Sequence, residues 1–297
     1  MVQYEEKCRC AGASDTLTRK PIETTVEMVR LLDENRTAEN RQSSKGNQLK
    51  FIRDGIWYKA DSMGYEGLAE YTVSKLLHLS DLTPDEYVDY ELEVLEYREN
   101  QWNGCRSHDF KGNWQLITLE RLFKQMYGYG LHKMIYTTEN PVNRLKLIVD
   151  KVEQLTGIQD YGVYMAKLLT IDALFLNEDR HTHNLAILMN DRNEFRLCPI
   201  FDHGAALLSD TKMDYPLSKS YLDLMKEVRA ATFLDSFEEQ LDIAEQLYGY
   251  HIHFDFDYKE VQAIVDQAEN YEPEIRQRVV DVIMQMRRKY MYLFRKR

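Results

Sequence analysis

The residue pattern changes once along the chain, near residue 114, and this change limits the folds that the chain can adopt. Before that point, short apolar and aromatic runs separated by turn residues predict strands, with one amphipathic helix among them. After it, helical periodicity dominates, and the predicted helices lie at 117–131, 142–157, 161–176, 221–233, 236–250, 258–271 and 273–294. A strand-containing first third and a helical remainder predict an α+β fold with two lobes. We expect a small mixed β/α N-terminal lobe at residues 1–112 and a larger, mostly helical C-terminal lobe at residues 113–297.

Charge and hydropathy argue against two classes of function. The net charge is −11, whereas a protein that binds nucleic acid along its backbone needs a basic surface. A local basic pocket for a nucleotide is still compatible with that charge. No stretch approaches the roughly 20 apolar residues that span a bilayer, and the N-terminus lacks the apolar core of a signal peptide. We therefore expect a cytoplasmic protein that binds neither nucleic acid nor a membrane.

Residues 49–61 predict a β-hairpin, because two apolar and aromatic runs flank the dipeptide Asp54-Gly55. Asp-Gly closes tight hairpins, since both turn residues adopt positive φ at little cost. The second strand carries Lys59, and a predicted helix begins a few residues later.

That helix carries Glu66 and Glu70, which lie one turn apart on the same face. In kinases a strand lysine holds the α- and β-phosphates and is oriented by a helix glutamate. The position of Lys59 between a hairpin and a helix therefore favours a nucleotide-binding lysine over a solvated edge-strand lysine. Either glutamate can be its partner, and Glu70 is the preferred choice.

The segment NEDRHTHN, residues 177–184, follows an apolar helix and precedes a short β-like stretch at 185–202. Its Asp179-x-x-x-x-Asn184 spacing matches the catalytic loop of kinases, in which the aspartate accepts the substrate hydroxyl proton and the asparagine binds metal. Asp202 begins an Asp-His-Gly triplet in the place of the D-F-G motif, whose aspartate coordinates magnesium. Each part alone is common by chance, but the combination predicts Asp179 as the catalytic base and Asn184 and Asp202 as metal ligands.

Two further groups of polar residues lie near these motifs. His181 and His183 flank the loop, and we interpret them as structural residues rather than zinc ligands, because no suitable set of partners accompanies them. Ser43, Ser44 and Lys45 lie in a polar loop before the hairpin, where a phosphate-covering loop belongs. The loop lacks the G-x-G-x-x-G pattern. Two interpretations therefore remain: Ser44 and Lys45 contact phosphates, or the segment is a polar loop that binds no ligand.

Taken together, these segments resemble the HipA-like serine/threonine kinases of bacteria, in particular the compact branch without a separate N-terminal subdomain. The resemblance covers roughly residues 36–225 and is most specific at 177–204, where D-R-H-x-x-N is also similar to the catalytic loop of phosphatidylinositol kinases. It implies a two-lobed protein-kinase-like fold and the ATP- and Mg²⁺-dependent phosphorylation of a protein serine or threonine. His203 stands where the D-F-G pattern has phenylalanine.

The resemblance also bears on regulation. Some members of the family phosphorylate a serine of their own phosphate-covering loop, and Ser43 or Ser44 matches that serine by location. Members often act as toxins held by a DNA-binding antitoxin, although no feature of the sequence indicates such a partner. Two alternatives remain: a kinase of a lipid or small molecule on the same scaffold, and an ATP-binding pseudokinase that serves as an interaction module.

Overall fold

The computed structural model describes residues 28–37 and 48–295. Its first part is a five-stranded sheet in the order β1-β4-β5-β3-β2, in which β1 runs parallel to β4 and all other neighbours are antiparallel. Helix α1 packs against this sheet. The elements are β1 (Val29–Leu31), β2 (Lys50–Arg53), β3 (Ile56–Ala60), α1 (Glu66–Leu77), β4 (Glu91–Tyr97) and β5 (Asn100–His108).

The predicted hairpin is confirmed as β2 and β3. Asp54 and Gly55 form its turn with φ angles of 53° and 75°, the positive values that a two-residue turn needs to match the twist of the flanking strands. The pairing aligns Phe51 with Tyr58 and Lys50 with Lys59. The turn therefore fixes which residues of β3 face the centre of the molecule.

Two glycines bring α1 close to the sheet. A Cβ atom at Gly67 would lie 2.5 Å from the carbonyl carbon of Gly104 in β5, and one at Gly104 would lie 2.2 Å from the carbonyl oxygen of Lys59. A larger residue at position 67 would push the helix away from the sheet, and one at position 104 would press on the neighbouring strand β3. The close approach places the inner face of α1, which carries Glu70, against Lys59 on β3.

The second part of the chain is mostly helical and includes a three-stranded antiparallel sheet in the order β6-β7-β8. Helix α5 is buried along nearly its whole length and forms the centre of the main apolar core. The elements are β6 (Gln115–Thr118), α2 (Leu119–Tyr127), α3 (Leu131–Thr137), α4 (Pro141–Thr156), α5 (Tyr161–Phe175), β7 (Ala186–Met189), β8 (Phe195–Leu197), α6 (Tyr221–Leu224), α7 (Phe237–Tyr248), α8 (Tyr258–Asp266) and α9 (Pro273–Lys289).

Several predicted boundaries are wrong. The helix expected at 117–131 begins at Leu119, because Thr118 ends β6 and caps α2 by accepting a hydrogen bond from the Arg121 backbone N–H at 3.3 Å. The helix expected at 221–233 ends at Leu224. Beyond it, the chain packs apolar side chains into the core in an irregular conformation and directs Thr232 at the 177–184 loop.

The predicted lobe boundary at residues 112 and 113 falls between β5 and β6. It remains a prediction of domain organisation. In the part of the chain that the structure describes, no helix is both long enough and apolar enough to cross a membrane.

Candidate active site

The centre of the candidate site is a network of three charged side chains from three separate elements. Lys59 of β3 forms an ion pair with Glu70 of α1, and its ammonium nitrogen lies 2.7 Å from Oδ1 of Asp202. Lys59 is 8% exposed and Glu70 is fully buried. Lys59 and Asp202 are 143 residues apart in sequence, so the fold, and not local sequence, brings them together.

Lys59 attracts both carboxylates, whereas burial and the neighbouring charge of Asp202 raise the pKa of Glu70. Burial disfavours the charged form of Lys59, but the carboxylates of Asp202 and Glu70 outweigh it and hold the pKa of Lys59 well above its usual range. Burial likewise opposes ionisation of Asp202, yet Lys59 and Lys50 keep the pKa of Asp202 well below its usual range. Asp202 is therefore an ionised carboxylate at neutral pH, the state that a cation requires.

Glu70 also ties α1 to the Asp-His-Gly triplet. Its Oε2 accepts a hydrogen bond from the backbone N–H of His203 at 2.7 Å, while its Oε1 accepts from Lys59. Glu66 does something else: it accepts hydrogen bonds from the backbone N–H groups of Met63 at 2.6 Å and Gly64 at 2.9 Å, at the start of α1. Of the two predicted candidates, Glu70 is thus the one that contacts Lys59.

A small apolar cluster lies beside the ammonium group, and in it only the rings of Phe110 and Phe201 are partly exposed. Tyr90 contacts Lys59 through its hydroxyl at 3.4 Å and its ring at 5.1 Å. It clusters with Val88 and Cys105, against which the rings of Phe110 and Phe201 pack with centroids 5.5 Å apart. A charged group next to an apolar surface suits a ligand that combines an anionic part with a flat apolar part.

The loop at 177–184 connects α5 to β7 and holds the predicted base. The side-chain amide of Asn184 donates to Oδ2 of Asp179 at 3.1 Å and to the Asp179 carbonyl at 2.7 Å. Nε2 of His181 lies 3.5 Å from the other oxygen of Asp179. Asp179 and Asn184 are both partly exposed, so a ligand can reach them.

Asn184 and Asp202 fit a magnesium ion by the chemistry of their donors. The NH₂ group of Asn184 is directed at Asp179, which leaves the amide oxygen on the opposite side for a cation. Amide and carboxylate oxygens are hard ligands, and Mg²⁺ in proteins commonly uses one or two such ligands together with phosphate oxygens. Within residues 28–37 and 48–295, no group of three or more His, Cys, Asp or Glu side chains could hold a metal ion. An Mg²⁺ ion on Asn184 and Asp202 would take its remaining ligands from phosphate oxygens and water.

The remaining predicted residues fall into two groups. Ser43, Ser44 and Lys45 lie outside the described residues, so their predicted roles stay predictions. His181 and His183 are neighbours with ring centroids 5.4 Å apart in an edge-on arrangement.

Sequence reasoning missed two residues of the site, Asp172 and Arg180. Their side chains form a buried ion pair, with Nε of Arg180 2.9 Å from Oδ2 of Asp172. The signal for the pair is present in the sequence: Asp172 interrupts the apolar run LLTIDALFL, and a buried carboxylate needs a charged or hydrogen-bonding partner. The D-R-H motif contains Arg180 but does not indicate its partner.

Comparison with known proteins identifies the fold. No protein-family model matches the sequence, and no curated protein sequence matches it. The structure is similar to the crystal structure of a Helicobacter pylori proinflammatory kinase, CtkA, with a TM-score of 0.59 at 13% sequence identity. The similarity covers 90% of this chain and 97% of that chain. It confirms the predicted fold class, a mixed α/β, two-lobed kinase-like fold.

Proposed function

We propose that this chain is a kinase that uses ATP and Mg²⁺ to phosphorylate a serine or threonine hydroxyl of a protein, as its resemblance to HipA-like kinases implies. One observation carries the proposal: Lys59, Glu70 and Asp202 form a charge network on a kinase-like fold, with Lys59 and Glu70 buried and Asp202 partly exposed. A lysine held by a helix glutamate and a metal-binding aspartate is the arrangement that kinases use to bind a nucleotide triphosphate.

Different residues would bind the phosphates, the nucleobase and the metal ion. Lys59 is a fixed cation for the α- and β-phosphates, and the partly exposed rings of Phe110 and Phe201, which pack on the cluster around Tyr90, offer the nucleobase an apolar surface. Asp202 and Asn184 would hold the magnesium ion. When bound, Mg²⁺ neutralises the charge of the phosphate groups and of the transition state.

Asp179 acts on the acceptor. The acceptor hydroxyl oxygen attacks the γ-phosphorus, the bond between that phosphorus and the bridging oxygen of ADP breaks, and the hydroxyl proton passes to Asp179. Asn184 restricts the rotation of the Asp179 carboxylate through the hydrogen bond at 3.1 Å. Catalysis then rests on positioning and charge neutralisation, without a covalent enzyme intermediate.

The test is phosphoryl transfer from [γ-³²P]ATP in the presence of Mg²⁺. Asp179→Asn is expected to reduce transfer by at least about 10²-fold, the range for loss of a general base. Asp202→Asn is expected to reduce transfer strongly by removing a metal ligand, and neither change is expected to unfold the protein. Asp191→Asn, the same change in the exposed β7–β8 turn, serves as the matched control and is expected to keep wild-type activity. Wild-type rates in either site variant would contradict the assignment.

The choice of acceptor separates the alternatives. Protein, lipid and small-molecule acceptors are offered in parallel, and label in protein alone supports the proposed class. Label that appears only in a lipid or a metabolite would favour the rival kinase classes. Nucleotide binding without any transfer would favour a pseudokinase. Mass spectrometry of the intact chain after incubation shows whether Ser43 or Ser44 becomes modified.

A further inference from the structure

We propose that Arg180, held by Asp172, is a positioning residue that fixes the two magnesium ligands, Asn184 and Asp202, relative to each other. The inference rests on the proposed function, because it assigns a role within the same metal site. Neither Arg180 nor Asp172 is expected to touch the ion or the nucleotide.

The pair is buried and its geometry is bidentate. The side chains of Arg180 and Asp172 are 2% and 3% exposed. Nε of Arg180 donates to Oδ2 of Asp172 at 2.9 Å, and Nη2 donates to Oδ1 at 3.1 Å. Asn177 donates to the same Oδ1 at 2.8 Å, so the carboxylate of Asp172 is fixed from two directions. Because Asp172 belongs to the central helix α5, it anchors the guanidinium group to the core.

The remaining N–H groups of Arg180 bind the two segments that carry the metal ligands. Nη1 donates to the carbonyl of Phe201 at 2.8 Å and lies 3.5 Å from the carbonyl of Asn184. Nη2 lies 3.4 Å from the carbonyl of Asp202. One planar group therefore contacts the main chain on both sides of the site. A lysine could not make these contacts, since its three donors converge on one nitrogen while a guanidinium presents five in a fixed plane.

The backbone at Asp202 shows why such support is needed. Asp202 has a φ of 67°, in the left-handed region that residues other than glycine rarely adopt. Such a conformation persists only where the surroundings determine it. Arg180 contacts the carbonyls of Phe201 and Asp202, the two peptide groups that flank this strained residue. Loss of the guanidinium would release the peptide and let the carboxylate turn away from the ion.

A purely structural role makes a different prediction. Buried ion pairs can often be replaced by apolar residues of similar volume without loss of stability, so stability alone does not explain the pair. Residues behind metal ligands typically change metal affinity or activity by about 10- to 100-fold when they are mutated. Metal affinity is therefore the quantity that distinguishes positioning from packing.

The experiment measures the binding of Mn²⁺, a spectroscopic substitute for Mg²⁺, to the full chain in the presence of a non-hydrolysable ATP analogue, by electron paramagnetic resonance. Arg180→Lys is expected to raise the dissociation constant of Mn²⁺ at least about 10-fold. The half-saturating Mg²⁺ concentration for phosphoryl transfer is expected to rise in parallel.

Arg278→Lys is the matched control. Arg278 is also buried, at 6% exposure, and it also binds main-chain carbonyls, those of Tyr215 at 2.6 Å, Pro216 at 2.9 Å and Lys219 at 3.2 Å. These carbonyls belong to neither metal-ligand segment. Its substitution is expected to lower the melting temperature and to leave the Mn²⁺ dissociation constant within twofold of wild type.

A second variant covers the case in which Arg180→Lys does not fold. The double change Arg180→Met with Asp172→Leu replaces the ion pair by apolar side chains, which favours folding, but it removes every contact with the carbonyls. It is also expected to weaken Mn²⁺ binding at least 10-fold. A folded variant of either kind with wild-type Mn²⁺ affinity would overturn the positioning role. A wild-type chain that binds Mn²⁺ and nucleotide but transfers no phosphate would instead contradict the proposed function and leave the affinity comparison valid.

Discussion

Glu70→Gln tests the charge network most directly. Both carboxylate oxygens of Glu70 accept hydrogen bonds, one from the Lys59 ammonium and one from the His203 backbone N–H. Glutamine has the same shape but only one acceptor oxygen. Whichever way its amide is turned, either Lys59 or His203 faces an NH₂ group and loses its partner. The negative charge opposite Lys59 is lost in both cases.

The structure sets the size of the effect. Hydrogen bonds to charged groups contribute about 1.5–3 kcal/mol, and both side chains are at least nine-tenths buried, so solvent does little to weaken the interaction. Without Glu70, Asp202 becomes the main carboxylate on Lys59, at 2.7 Å. Lys59 then stays bound to the Asp202 oxygen that the metal ion must reach. If that energy is expressed in the transition state, kcat/KM for ATP falls about 10- to 150-fold.

The assay is steady-state phosphoryl transfer with varied ATP, and the control is Glu66→Gln on the same helix. Glu66 accepts hydrogen bonds at the start of α1, from Ser62, Met63 and Gly64. Its substitution is expected to lower the melting temperature by weakening this end of the helix, with kcat/KM within about twofold of wild type. An equal loss of kcat/KM in both variants, or no loss in Glu70→Gln, would refute the reasoning.

Two predictions concern stability. Gly55→Ala places a side chain at a φ of 75° and is expected to destabilise the protein by about 1–2 kcal/mol, seen in urea unfolding, with no change in the KM for ATP. Burial and the neighbouring charge of Glu66 raise the pKa of Asp61 to about 8. Between about pH 4 and 8 the folded protein therefore keeps a proton that the unfolded chain has released, so stability falls as pH rises through this window. Melting temperatures of Asp61→Asn between pH 5 and 9 are expected to show a smaller fall than those of wild type, and an identical slope would contradict the assignment.

Local turn and cap chemistry decided which parts of the fold could be predicted. The Asp54-Gly55 turn is recognisable because few dipeptides adopt two positive φ angles at low cost, and the hairpin follows from it. The residues at 221–233 have helical periodicity, yet only Tyr221–Leu224 is helical. There the side chain of Thr232 donates to the carbonyl of Arg180 at 2.8 Å, and the Phe233 N–H donates to the side chain of Gln240 at 3.0 Å. Tertiary contacts override a periodic pattern in a way that the pattern cannot reveal.

In the site, too, pairs of residues that are close in sequence are easier to predict than pairs that are far apart. Asp179 and Asn184 lie five residues apart, and their spacing indicates that they face each other. The Lys59–Asp202 contact joins residues 143 positions apart. The choice between Glu66 and Glu70 depends on how α1 lies against the sheet, which follows from the contact between Gly67 and Gly104. A sequence indicates which residues carry charge, but their pairing depends on the packing between elements.

The position of α1 is itself set by the segment that follows Asp202. The backbone N–H of Tyr65, just before α1, donates to the Ser209 carbonyl at 3.1 Å, and the Tyr65 hydroxyl donates to the Leu207 carbonyl at 2.6 Å. At the same end of the helix, Asp61 accepts hydrogen bonds from the Gly67 N–H at 2.5 Å and from the Tyr271 hydroxyl at 2.8 Å. The ion pair between Lys59 and Glu70 therefore depends on contacts with residues from the second part of the chain. Because this segment directly follows Asp202 in the chain, contacts of the same segment help to align the lysine, the glutamate and the aspartate.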